Sequence, residues 1–280
     1  MNNSKIPEQH RPWCHSGTFH FLRKKKSFPL ENSPKYDIMK AVQGDGGRSM
    51  QIGIFSDPHY SSQEVTCGRR YNSRSLAKIR AAYAHFERMH CDLIICLGDV
   101  TDTEKTTERE IENLREISAV MHGTAIPTVA LMGNHDAFTL TEEQFYGALG
   151  IDPPADRCID GKTLIFLDAC YFRSGVRYAP GDSDWRNTFL PNEGGLKEKL
   201  ARAEGDVYIF IHQNIDPSVK ANHRIANAES VFEIIRQSGA VKAVFQGHYH
   251  RGMQSLHDGV KYITLPAMCE NESAYFVYTL

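Results

Sequence analysis

No run of apolar residues in the 280-residue chain is long enough to span a membrane, and the N-terminus lacks the continuous apolar core of a signal peptide. A soluble protein that is not exported is the expectation. A CxxC pair is missing as well. The seven cysteines, an odd number, fall partly inside apolar runs (Cys91, Cys96, Cys170), where free cysteine behaves as a small hydrophobe, so a reducing cytoplasm is the expected compartment. Nor is the chain basic overall. Its formal charge is −2, but residues 1–49 hold nine Lys/Arg against four Asp/Glu, which leaves 23 basic and 30 acidic residues for the body. An acidic body argues against non-specific nucleic-acid binding, and no nucleic-acid-binding module or internal repeat is recognisable. What is present is 41% hydrophobic content, enough to bury a sizeable core.

Residues 1–49 show neither helical nor strand period, include the run RKKK at 23–26 and close on a Gly-rich stretch. They read as a basic, poorly ordered tail, or as a non-native extension ahead of Met50; residues 50–280 read as the folded domain. From Met50 onward strand-like and helix-like segments alternate with short connections, as in a layered α/β fold. QIGIFS, DLIICL, IPTVALM, TLIFLDA, VYIFIH and AVKAVFQ are the expected strands. A helix is expected over roughly Ser73 to His90, with Leu76, Ile79, Tyr83 and Phe86 on one face. Thr107 and Glu110, and again Thr141 and Gln144, have capping-box spacing. Further helices are expected near Leu196 to Ala203 and ending at Gly239. Asp258-Gly259 between GMQSLH and VKYITL signals a hairpin, and AYFVYTL reads as a closing strand.

Several of these strands end in polar residues that would normally cost stability at the mouth of a buried strand. FSDPH places Asp57 and His59 after the first, CLGDVTD Asp99 and Asp102 after the second, LMGNHD Asn134 and His135 after the third. FIHQN adds His212, and FQGHYH adds His248 and His250. In an open α/β sheet the C-terminal strand ends line one crevice, so these residues can converge although distant in sequence. Carboxylate, imidazole and amide oxygen without thiolate suit divalent Mn, Fe, Zn or Ni rather than an all-oxygen Mg or Ca cage. Two divalent ions against Asp57, Asp99 and a bridging hydroxide leave net positive charge, which attracts a phosphate anion.

The series DPH, GDVTD, GNHD, a strand-end histidine and GHYH, in that order over Ser56 to Arg251, resembles the calcineurin-like metallophosphoesterase family. The resemblance implies an α/β/β/α sandwich of two mixed sheets flanked by helices, with a binuclear site at the strand C-terminal ends. It implies that Asp99 bridges two divalent transition-metal ions, with Asp57, His59 and His250 completing one ligand set and Asn134, His212 and His248 the other. His135 would protonate the leaving group, Asp102 would orient His135, and the nucleophile would be a metal-held hydroxide. The implied activity is hydrolysis of a small phosphodiester, such as a cyclic nucleotide or nucleotide pyrophosphate, most like the single-domain bacterial phosphodiesterases. A phosphomonoesterase, or a non-catalytic scaffold of the same fold, is the alternative.

Other polar residues are weighed against ordinary roles. Arg70 and Tyr71, in the loop CGRRYNSRS that also holds Arg69 and Arg74, and Tyr249 beside the last ligands, are candidate substrate contacts; exposed loop positions are the competing reading. Asp136 is either a cap or a support for the site. Asp168 matches no ligand block and is expected to be structural. His85, His90, His122, His223 and His257 are expected on the surface or in packing.

Overall fold

A computed structural model describes residues 49–280, so the expected tail lies outside the described residues except for its last position. Two sheets form the centre. The first has the order β10-β1-β2-β3: β1 (Gln51–Phe55), β2 (Leu93–Cys96) and β3 (Thr128–Ala130) are parallel, and β10 (Tyr275–Thr279) runs antiparallel beside β1. The second has the order β4-β5-β6-β7-β9-β8. In it β5 (Lys162–Leu167), β6 (Asp206–Ile211), β7 (Val241–Gln246) and β9 (Val260–Pro266) are parallel, between antiparallel edges β4 (Arg157–Ile159) and β8 (Arg251–His257). Asp258 and Gly259 join β8 to β9 with φ of 49° and 84°, the two left-handed residues that a two-residue hairpin requires.

The sheets face each other across an apolar layer in which Ile52, Ile54 and Ile95 of the first meet Phe166, Phe210 and Phe245 of the second. Those three phenylalanines lie in register on β5, β6 and β7. Phe210 stacks on both neighbours, at 5.2 and 5.1 Å between ring centres. Such pairs add about 0.5–1.5 kcal/mol each beyond their buried area. On the outer face of the first sheet lie α1 (Ser75–Arg88), α2 (Thr107–Met121) and α4 (Glu142–Leu149), through Ile79, Phe86, Leu114, Ile117 and Phe145. On the outer face of the second lie α5 (Glu193–Arg202) and α6 (Ala228–Ser238), through Leu196, Leu200, Val231 and Ile235. The four layers, helix, sheet, sheet, helix, are those expected. Among the described residues no helix is long and apolar enough to cross a membrane.

Differences from expectation are local. The cap of α2 is Thr106, whose hydroxyl accepts from the Arg109 N–H, so Thr107 and Glu110 do not form a capping box. Glu110 instead turns inward, where its Oε1 accepts from the Thr101 and Thr139 hydroxyls. The box at Thr141 and Gln144 forms as expected. Strand β4, and the short helix α3 (Asn134–Thr139) that begins directly inside GNHD, have no periodic signal long enough to announce them.

Candidate metal centre

The polar strand ends gather at the C-terminal rims of β1, β2, β3, β6 and β7. The chain there adopts backbone angles that side chains normally avoid. Asp57, His59, Asp99 and His248 have φ of 54°, 46°, 50° and 64°, left-handed values that each cost a non-glycine residue about 1–2 kcal/mol. Backbone hydrogen bonds hold the turns in place, from Asp57 N–H to the Gly98 carbonyl and from His59 N–H to the Asp99 carbonyl. Two glycines admit the close approach. A Cβ on Gly133 would sit 2.1 Å from Asp99 Oδ1, and one on Gly247 would sit 2.1 Å from Ser56 Oγ and 2.7 Å from Asp57 Oδ2.

Asp99 is the junction of the cluster. Its Oδ2 lies 3.5 Å from His59 Nε2 on one side and 3.3 Å from His212 Nε2 on the other. Beyond His59, His250 Nε2 stands 3.2 Å from His59 Nε2 and 3.4 Å from Asp57 Oδ1. Beyond His212, the ligand atoms of Asp99, His212 and His248 lie within 4.8 Å of one another. Asn134 is buried at the first residue of α3, directly before His135, whose N–H donates to Asp99 Oδ1 at 2.8 Å.

The donor set fits a pair of divalent cations. Asn134 Oδ1, His212 Nε2 and His248 Nε2 are buried and have no hydrogen-bond partner, a costly state that a cation would relieve. Two histidines have their tautomers fixed from behind. His212 Nδ1 meets the Leu97 carbonyl at 3.0 Å and His250 Nδ1 meets Glu270 Oε1 at 2.6 Å. Both partners can only accept, so each Nδ1 bears a proton and each Nε2 is the ring atom left to face a cation.

Electrostatics separate the ionisable groups. Burial opposes ionisation of Asp57, but the hydrogen bond to His250 and the charges of His212 and His250 outweigh it and hold the carboxyl far below its usual range. Asp99 is likewise held low, with His212 and His135 overcoming burial. Burial keeps His59 and His248 neutral, helped by Arg70 at the first and His212 at the second. Against its own burial, His212 is pushed up to about 9 by Asp99, a proton that a bound cation would displace.

His135 forms the edge of the cluster facing solvent. Its Nδ1 lies 3.1 Å from Asp102 Oδ1, and its ring meets that of His59 edge-on at 4.6 Å. Asp102 is held in turn by Thr66 Oγ1 and Asn72 Nδ2, both at 3.0 Å from Oδ2. Arg70 completes this corner, one guanidinium nitrogen lying 3.4 Å from both Asp102 Oδ2 and His135 Nε2. Asp136 both caps α3, through the Gly133 N–H, and pins the Asp99 loop, through the N–H groups of Val100 and Thr101.

Comparison with known proteins now bears on this arrangement. A family model described as calcineurin-like phosphoesterase matches residues 50–252. The chain is a calcineurin-like phosphoesterase. It is 25% identical over 228 residues to a "Probable cyclic nucleotide phosphodiesterase" of Psychrobacter arcticus, covering 76% of this chain and 74% of the other. A protein of the same description from Rhodopseudomonas palustris is 25% identical over 230 residues, 76% of each chain. Among solved structures, a dimetal phosphatase from Danio rerio superposes with a TM-score of 0.71 at 18% identity, over 82% of this chain and 92% of that one, a likeness of fold.

The residues singled out from the phosphoesterase pattern, Asp57, His59, Asp99, Asn134, His135, His212, His248 and His250, come together, and Asp102 lies against His135. Arg70 reaches the cluster, whereas Tyr71 is 37% exposed with its ring under the Arg74 guanidinium. Asp168 is structural, accepting from the Cys170 N–H and pairing with Arg177. His223, expected on the surface or in packing, packs its ring 5.9 Å from that of His248 and 5.1 Å from that of Tyr249, centre to centre, which brings it to the edge of the metal centre. Sequence reading also passed over Glu270 and Lys78. The buried Lys78 ammonium donates to the carbonyls of Met268, Cys269 and Asn271, and so secures the turn that aims Glu270 at His250. A lysine among the apolar residues of the inward face of α1 was the available signal.

Proposed function

We propose that this calcineurin-like phosphoesterase hydrolyses a small phosphodiester of the cyclic nucleotide or nucleotide pyrophosphate class. The observation that supports it most is the position of Asp99, one carboxylate reached by His59 from one side and His212 from the other, with unpartnered buried ligand atoms around it. In this reading Asp57, His59 and His250 would hold one divalent cation, Asn134, His212 and His248 would hold a second, and Asp99 would contribute to both. The cations would supply Lewis acidity toward phosphate oxygens and make a nucleophile available near neutral pH. Asp102 accepts from the Nδ1 N–H of His135 and fixes the ring, so that the imidazolium form would give its Nε2 proton to the departing oxygen and leave a neutral imidazole behind. Arg70, beside that nitrogen, places a permanent positive charge where the phosphate would sit.

The diester preference draws support from the two relatives described as probable cyclic nucleotide phosphodiesterases. The test is activity of metal-stripped protein re-supplied separately with Mn²⁺, Zn²⁺, Ni²⁺ or Mg²⁺, on a chromogenic phosphodiester and the matching monoester, with metal content measured alongside. Diester cleavage restored together with close to two metals per chain is expected. A monoester preference would overturn the diester reading, and full activity without bound metal would overturn the metal centre.

A further inference from the structure

We infer that Cys269 is a further donor to the cation of His59 and His250, and that its sulfur biases this position toward thiophilic divalent ions; the inference rests on the metal centre of the proposed function and not on its substrate. One ring nitrogen of His59, one of His250 and the Sγ of Cys269 lie within 4.8 Å of one another. That is the span of a single ion's donors, which stand about 2.0–2.3 Å from the metal. The polar strand ends hold no thiol, and Cys269 lies outside them. It sits in the short turn Met268–Glu270 that follows β9.

The turn is built against both segments that carry these ligands. Met268 and Cys269 donate their N–H groups to the carbonyls of Ser56 and Asp57, at 2.9 and 3.1 Å, and Ala267 donates to the His250 carbonyl at 3.0 Å. From the other side the Tyr71 N–H donates to the Cys269 carbonyl at 3.1 Å, and the Lys78 ammonium holds the carbonyls of Met268 and Cys269. Cys269 is thus pinned to the strand end that bears Asp57 and to the loop that bears His250. The next residue, Glu270, reaches His250 Nδ1, so one turn gives that ligand both an orienting carboxylate and a neighbouring thiol.

Other buried cysteines are placed differently. Cys91 and Cys96 pack in the apolar cluster on the outer face of the first sheet, and Cys170 packs there too, with its Sγ 3.5 Å from the Met132 carbonyl. Cys269 is free, wholly buried and outside every apolar cluster, within reach of the charges of Arg70, Asp57, Glu270 and Asp102. The histidines beside it point to an ion independently of the thiol. His59 is wholly buried with Nδ1 unpartnered, and its Nε2 stands 3.2 Å from that of His250, nitrogen toward nitrogen. Sulfur is a soft donor, which favours zinc over magnesium and manganese. As the sulfur–metal bond forms, the thiol proton passes to solvent.

Cobalt tests this without turnover, because sulfur bound to Co²⁺ gives an intense near-ultraviolet charge-transfer band that oxygen and nitrogen donors do not. The metal-stripped full chain, reloaded with two Co²⁺, should show the band. Cys269→Ser and Cys269→Ala should each lose it while still binding cobalt, and Cys158→Ser, which removes an exposed free thiol, should keep it. Competition between Zn²⁺ and Mn²⁺ supplies a second measure. The preference for zinc should fall by at least about tenfold in Cys269→Ser, the scale on which even an outer partner of a ligand acts. Two cobalt ions bound to the unaltered protein without the band, a band that survives both Cys269 variants, or an unchanged zinc preference would each overturn the inference. Binding of no cobalt would overturn it together with the metal centre. A protein that shows the band and loses it in both variants, yet hydrolyses no diester, would keep the thiol donor and remove the phosphodiesterase reading alone.

Discussion

The floor of the metal centre and the aromatic wall beside it, formed by Trp185, His223 and Tyr249 around His248, are built on opposite terms. Floor residues sit on the turns that leave the parallel strands and are almost wholly buried, and their supports are bonded several times over; Asp102 alone is held by Thr66, Asn72, Arg70 and the Thr103 N–H. Wall residues are half-buried, stand on connections outside the sheets and touch one another mainly ring to ring. The difference follows from what each must do. Chemistry at a phosphate depends on donor positions correct to a fraction of an ångström, which only an over-determined backbone supplies. The wall holds none of these donors, so its connections are free of that demand.

Changes to the metal ligands should therefore affect every substrate alike, and the comparison can be broken or sharpened by single substitutions. Asp99→Ala should have the largest effect, emptying both metal positions and abolishing turnover; elemental analysis that still found two metals per chain would show that Asp99 is not shared. His135→Ala should keep its metals and lose about 10²–10⁴-fold in kcat on poor leaving groups. A loss equal for good and poor leaving groups would deny His135 its proton.

Glu270→Ala should weaken metal affinity by about 10–100-fold, because His250 loses the carboxylate that orients it. Glu270→Gln, whose amide oxygen still accepts from Nδ1, should recover part of that affinity; identical affinities in both variants would assign Glu270 a merely local role.

The smallest effect lies beneath the floor, at Glu110. Burial pushes its carboxyl up to about 8, so the folded chain keeps a proton that the unfolded chain releases near the ordinary value of 4.5. Stability should then fall as pH rises between about 5 and 8, by at most about 1.4 kcal/mol per pH unit from this group. Thermal unfolding of Glu110→Gln should show a flatter slope across that window, and parallel slopes would contradict the assignment.

Floor and wall also differ in how much of them is legible in sequence. Metal-site residues follow on apolar strands, and Asp99, Asn134 and His248 each come directly after a glycine, so local pattern and strand order place Asp57, Asp99, Asn134, His212 and His248 together. His223 has no such flank. Its place beside His248 depends on how the β6–α6 connection folds back through Ile225 N–H to the Asn214 carbonyl, a pairing that sequence spacing does not express. Glu110 was misread for the opposite reason. Its spacing from Thr107 matched a cap, but its position on the inward face of α2 overrode that local preference. The layered fold was readable because parallel strands buried on both faces are continuous apolar runs.

Of the nine non-glycine residues with left-handed backbones among those described, Asp57, His59, Asp99 and His248 belong to the floor. Selected for heat resistance alone, with no demand for turnover and no metal in the medium, the chain should discard these four side chains early. Glycine at any of them would relax the backbone, and the loss of each buried polar group would cost nothing to a protein no longer asked to work. A survey of such survivors would trace the centre by its casualties.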